Sequence, residues 1–165
     1  MTEQPARIQR RRTKGWRLPD NAVIVSRPSR FGNPFTIQQA IDAEMGNPRS
    51  AAASAYSEWL RVGTAGGWFE ETYRIGKQVF DRRRVLEELH LLRGKDLACT
   101  CPLPADGQPD HCHAAVLLKL ANEPATPANT LCTSHGGTRV RRHDVHQART
   151  AAWRAAQQAT TTRSN

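Results

Sequence analysis

Ala22-Val23-Ile24-Val25 runs directly into Ser26-Arg27-Pro28-Ser29-Arg30-Phe31-Gly32-Asn33-Pro34-Phe35. The first four residues are apolar and mostly β-branched, so they read as a short strand buried on both faces. The next ten contain two Pro, one Gly and one Asn, and read as a loop. A second short apolar run, Leu97-Ala98-Cys99, lies within Asp96–Cys101 and also empties into a loop, at 102–110. Between the two runs the pattern is helical. Thr36 and Gln39 have the spacing of a capping box for a helix at 37–45, which Gly46 ends. Asn47 caps a second helix with Pro48 at its first position. Ala52, Ala55, Tyr56, Trp59 and Leu60 share one face of it, and Gly63 closes it. A third helical pattern covers roughly 69–93, lined by Ile75, Val79, Leu86, Leu89 and Leu92, with a break at Gly76 and an end at Gly94.

Working outward, Ala6–Trp16 is Arg-rich, but the alternation around Ile8 allows an edge strand. Asp110 is placed to cap a last helix at 111–121, with Ala114, Leu117, Leu118 and Ala121 in one stripe. The expected fold is therefore a single α/β domain over 7–122. It is a small, at least partly parallel sheet covered by helices. Residues 123–165 are low in complexity and basic. They read as a disordered tail with a possible short helix at 145–158 around Trp153. Trp59 and Trp68 read as packing residues. In sheets of this kind ligands collect at the carboxyl ends of the strands. The loops at 26–35 and 101–110 both leave those ends and should share one rim.

Composition narrows the function. The 165 residues carry a net charge of +9, of which residues 1–20 supply +4, 21–121 only +1 and 122–165 another +4. Basic ends on a nearly neutral body suit either solubility or contact with a polyanion through counterion release. No stretch approaches the ~20 apolar residues of a membrane span. No charged and then apolar leader opens the sequence, so a cytoplasmic protein without membrane partners is expected. Four cysteines are too few for a disulfide scaffold. Three of them cluster with histidine.

That cluster is Cys99-Thr100-Cys101-Pro102 and, further on, Cys112-His113. Along an extended segment side chains alternate, so Cys99 and Cys101 point the same way. Cys112 and His113 fall in the first turn of the last helix. Thiolates with an imidazole suit tetrahedral zinc, with Cys99, Cys101, Cys112 and His113 as metal ligands and His111 as a substitute. A second reading is thiol chemistry. Cys112 at a helix N-terminus would be the catalytic nucleophile and His113 or His111 its base. A third is packing, since buried cysteine behaves as a small hydrophobe. Cys132, alone in the tail, reads as a free thiol.

In the first loop Arg27 and Arg30 can clamp a phosphate or carboxylate. Ser26 and Ser29 offer hydroxyls, and Asn33 an amide to orient a ligand. Phe31 and Phe35 either wall a base-stacking pocket or fill the core. Lys14 and Trp16 form a further ligand-binding candidate, a ring beside cations that can stack a base or cover a sheet edge.

Together these motifs resemble domain-of-unknown-function family 4326, a set of small phage and actinobacterial proteins. The resemblance rests on Arg10-Arg11-Arg12-Thr13-Lys14-Gly15-Trp16, on Arg27 through Phe35, and on Gly94-Lys95-Asp96-Leu97-Ala98-Cys99-Thr100-Cys101-Pro102 followed by Cys112-His113-Ala114. Thr100 stands where the family commonly has Trp, and the loop from Pro102 to Cys112 is longer than usual. The resemblance carries no chemistry with it, and it implies that 123–165 is an appendage. The expected function is binding or processing of a nucleotide-like small molecule at the Cys/His cluster beside the Arg/Asn loop. The alternatives are a zinc-stabilised protein that binds nucleic acid without sequence preference, and a phage module that contacts a host protein.

Overall fold

The computed structural model describes residues 4–67, 69–123 and Trp153. Three parallel strands form the main sheet: β1 (Arg7–Gln9), β2 (Ala22–Ile24) and a last strand, β5 (Asp96–Cys99). Their order is β1-β5-β2, with Arg7 opposite Leu97 and Val23 opposite Leu97 on the other side. The α/β reading therefore holds and the sheet is wholly parallel. β1 is an edge strand, as the alternation around Ile8 implies. β2 departs from its reading. It is the other edge, its residues are half-buried, and only Val25 beyond it is fully enclosed. The strand buried on both faces is β5, where Leu97, Ala98 and Cys99 are at most 1% exposed. Pairing on two sides, rather than β-branching, sets that burial.

Helix α1 (Ile37–Asp42) opens with the capping box: Gln39 N–H donates to Thr36 Oγ1 and Thr36 N–H to Gln39 Oε1. It ends earlier than 45, with Glu44 already at positive φ. Helix α2 (Pro48–Val62) is capped by Asn47, whose side chain accepts from Ser50 N–H at 3.0 Å. Its alanine-rich face lets it lie close to α1 and to the last helix. Its two large buried polar side chains are satisfied. Tyr56 hydroxyl donates to Phe31 O at 2.8 Å, and Trp59 Nε1 to Glu70 O at 2.7 Å. At its end Arg82 donates to the carbonyls of Trp59 and Leu60, stacking its guanidinium on Gly63. A Cβ at position 63 would come within 2.4 Å of Arg82 Cζ, and φ there is +61°, so only glycine fits.

The long helix expected over 69–93 is not formed. Residues Thr72–Ile75 (β3) and Gln78–Asp81 (β4) pair as an antiparallel hairpin, with Ile75 opposite Gln78. Gly76 takes φ +57° in the two-residue turn that this hairpin demands. Ile75 and Val79 stand four apart because they flank that turn, a spacing that imitates a helix face. Burial along β3 instead alternates with period two. Helix α3 (Arg82–Glu88) follows, capped by Asp81, and a 3-10 turn over Leu89–Leu92 leads to Gly94.

Helix α4 (His113–Asn122) starts two residues later than expected, with Cys112 and not Asp110 at its cap. Asp110 is drawn elsewhere. It pairs with Arg7, whose side chain is only 4% exposed and which also donates to Cys101 O (3.0 Å) and Pro102 O (2.8 Å). A buried cation on β1 thus ties down both ends of the loop between β5 and α4. Phe35 sits at the centre of an aromatic group, edge-on to Trp59, Phe69 and Tyr73. Trp153 joins it, 5.3 Å from the Phe35 ring and 4% exposed. Trp68, Cys132 and, apart from Trp153, the helix expected at 145–158 lie outside the described residues. Among the described residues no helix is long and apolar enough to cross a membrane.

Candidate metal centre and anion cleft

β5 delivers Cys99 into the interior, and the start of α4 delivers Cys112 and His113 beside it. Cys99 and Cys112 are each 1% exposed and His113 8%. His113 Nε2 lies 2.9 Å from the carbonyl oxygen of Val25. A carbonyl only accepts, so Nε2 carries the hydrogen and Nδ1 presents a bare lone pair. Nδ1 faces Cys99 Sγ at 3.9 Å and Cys112 Sγ at 4.0 Å. Burial holds the imidazole below its ordinary pKa, which keeps this neutral tautomer at neutral pH. The edge of Tyr56 closes the far side at 5.7 Å.

The ligand atoms of Cys99, Cys112 and His113 all lie within 4.8 Å of one another, and the group can hold a metal ion. Tetrahedral zinc with its usual bond lengths places sulfur and nitrogen about 3.6 Å apart, slightly closer than here. The carbonyl held by the other ring nitrogen is the partner that orients a metal-ligating histidine. Cys101 stands just outside this group and is half-buried. The Cys112 and Cys99 thiols donate toward it and Arg49 lies beside it, and these neighbours hold it well below the usual thiol range. The same contacts, with burial, push Cys112 and Cys99 up. Cys112, expected as the nucleophile, is as enclosed as Cys99, and its neighbours and burial push its thiol up.

Above the cluster opens a cleft of about 300 Å³ at the carboxyl ends of the strands. Both loops meet there, as their exits from the sheet require. Arg12, Arg27 and Arg49 reach it from three different elements, with His111 and His113, and no carboxylate lines it. Arg7, Arg30, Arg61, Arg82 and Arg84 all have acidic partners, whereas the three cleft arginines have none among the described residues. Ser26 belongs to the cleft wall, and its Oγ is buried without a hydrogen-bond partner. Phe35 and Ile37 supply an apolar wall.

Of the residues singled out in the sequence, Arg27, Asn33, Cys99, Cys101 and His113 come together at the cleft, with Cys112 beneath. Asn33 spends its amide internally, donating to Ala52 O (2.9 Å) and accepting from Phe35 N–H (2.8 Å), so it shapes the loop. Arg30 turns away to pair with Glu88 and lies over the Phe31 ring. Lys14 is exposed and Trp16 half-buried on the segment between β1 and β2, and neither lines the cleft. Sequence reasoning missed Arg12 and Arg49. Arg49 had a local signal. It occupies the first turn of α2, where the helix dipole disfavours a cation and no acidic residue is present.

Fold and site together define a small parallel α/β protein with a buried thiol–imidazole group opening into a cationic cleft. Residues 8–123 match the model of the family described as Domain of unknown function (DUF4326). The chain belongs to that family, in agreement with the motif resemblance. No curated protein and no solved structure matches the chain.

Proposed function

We propose that the protein binds a phosphorylated, nucleotide-like small molecule in this cleft, against a zinc ion held by the Cys/His cluster. The observation that carries this reading is a cleft lined by three arginines and two histidines, with no carboxylate. Three guanidiniums without carboxylate partners converge on one cavity and repel each other, and a multiply charged anion relieves that repulsion with bidentate hydrogen bonds. Arg12, Arg27 and Arg49 clamp the phosphates. Phe35 and Ile37 give the base or sugar an apolar surface. Zinc is favoured over harder cations because sulfur donors dominate the site. At this place it supplies Lewis acidity toward a phosphoryl or carbonyl oxygen.

The test joins elemental analysis with a thermal-shift panel on the full chain. About one zinc per chain is expected, with stabilisation that rises by about 1.4 kcal/mol for each tenfold of ligand above Kd. Nucleoside phosphates should shift the protein and the parent nucleosides should not. Arg27→Ala and Arg49→Ala should each abolish the shift. Equal shifts with and without phosphate, or none at all, would sink the reading.

The basic run Arg10-Arg11-Arg12 with exposed Lys14 and half-buried Trp16 favours one rival, binding of nucleic acid. That reading demands affinity that falls steeply with salt and is indifferent to sequence. Loss of affinity on deleting 124–165, with nucleotide binding unchanged, would separate the two.

A further inference from the structure

The metal reading above leaves one ligand unassigned, and the cleft identifies the contest for it. Tetrahedral zinc needs four donors, and the tight group offers three. All three are shut away from solvent, at 1%, 1% and 8% exposure. An ion among them has its fourth position turned toward the cleft, because the fourth sulfur, Cys101, forms part of the cleft wall. Cys101 is built differently from the others. Its backbone carbonyl is pinned by the buried Arg7 guanidinium at 3.0 Å, so its Cα and Cβ are fixed. Its sulfur is half-buried two residues beyond β5, and a change of rotamer would move it by about 3 Å between staggered positions. Cys101 lies just outside the Cys99–Cys112–His113 group, and Arg49 lines the same cleft wall as its sulfur. Ser26, whose buried hydroxyl has no hydrogen-bond partner, belongs to the same cleft wall.

We infer that Cys101 is an exchangeable fourth ligand: it closes the metal site in the empty protein and yields its position to a phosphate oxygen of the bound nucleotide-like ligand. The exchange is balanced and involves no redox step. The metal–sulfur bond breaks with its electron pair staying on sulfur, and an oxygen lone pair of the phosphate forms the new bond. The released thiolate keeps its charge and is received by Arg49. The thiolate stays in the cleft while the phosphate enters, and the three cleft arginines balance the added negative charge. Cys99, Cys112 and His113 remain in place, because nothing in their burial permits a comparable swing.

This inference rests on the metal reading, and the experiment keeps the two apart. Zinc content is measured on the purified full chain and on the Cys99→Ser, Cys112→Ser and Cys101→Ser variants. Wild type should carry about one zinc, Cys99→Ser and Cys112→Ser should lose it, and Cys101→Ser should retain it. Alkylation by iodoacetamide is then mapped on the zinc-loaded wild type, with and without AMP. Cys101 labelling should rise severalfold with AMP while Cys99 and Cys112 stay protected. Absence of zinc from wild type overturns the metal reading itself. With zinc present, its loss from Cys101→Ser to the same extent as from Cys99→Ser means a closed four-ligand site, and the exchange is wrong. Cys101 labelling that AMP leaves unchanged also overturns it, and this readout does not depend on any variant folding.

Discussion

Replacing Arg7 by methionine tests whether a buried cation on an edge strand holds the Cys/His cluster together. The Arg7 side chain is 4% exposed and Asp110 is 25% exposed. The guanidinium also donates to the carbonyls of Cys101 and Pro102 at 3.0 and 2.8 Å. Removing one partner of a fully buried pair costs about 3–5 kcal/mol, because a charge is left without compensation. Asp110 retains some water, which places the cost near the lower end of that range, about 3 kcal/mol. In a domain of this size that lowers Tm by roughly 10 °C. The assay is urea denaturation of the zinc-loaded full chain, read alongside zinc affinity by competition with a chromophoric chelator. Zinc affinity should fall as well, since Cys101 and Cys112 bracket the loop that Arg7 secures. Asp110→Asn alone should cost less, and the two changes should couple by about 1–3 kcal/mol. A loss below about 1 kcal/mol, the worth of an ordinary surface pair, would refute the reasoning. So would strict additivity of the two substitutions.

Three other expectations follow from single contacts. His113 is held below its ordinary pKa by burial. Below the unfolded value near 6.5 the unfolded chain therefore takes up a proton that the folded one refuses, so metal-free protein should lose stability as pH falls through about 6.5 toward the lower folded value; urea midpoints that stay level or rise over that interval would contradict the burial argument. Tyr56→Phe removes the hydroxyl that serves Phe31 O at 2.8 Å and leaves that carbonyl unpaired, for a loss of about 1–2 kcal/mol measurable by denaturation. Trp153→Ala removes a ring that is 4% exposed against Phe35; a stability loss of about 2 kcal/mol or more is expected, and an unchanged Tm would mean that residue 153 adds nothing to the core.

What could be read from the sequence divides by how local its cause is. The capping box at Thr36 and Gln39 and the Asn47-Pro48 start of α2 are set by side chains within one turn of the groups they serve, and they formed as expected. The hairpin at Thr72–Asp81 was hidden because Ile75 and Val79 happen to sit four apart across a turn, and only pairing distinguishes that from a helix face. The cap of α4 was misread because Asp110 has a distant competitor: Arg7 lies 103 positions away in the chain. The same division runs through the site. Cys99, Cys101, Cys112 and His113 come from two neighbouring elements, β5 and α4, so their convergence could be expected from strand alternation and a helix start. Arg12, Arg27 and Arg49 come from the ends of β1 and β2 and the first turn of α2, and they meet only through the strand order and the docking of that helix. A body with a net charge of only +1 over residues 21–121 gave no warning that its cations would be sorted from its carboxylates. The sorting itself is the functional statement. Five arginines of the domain have acidic partners, and among those that do not, three share one carboxylate-free cavity with a thiol–imidazole group, a charge that an anionic ligand would complete.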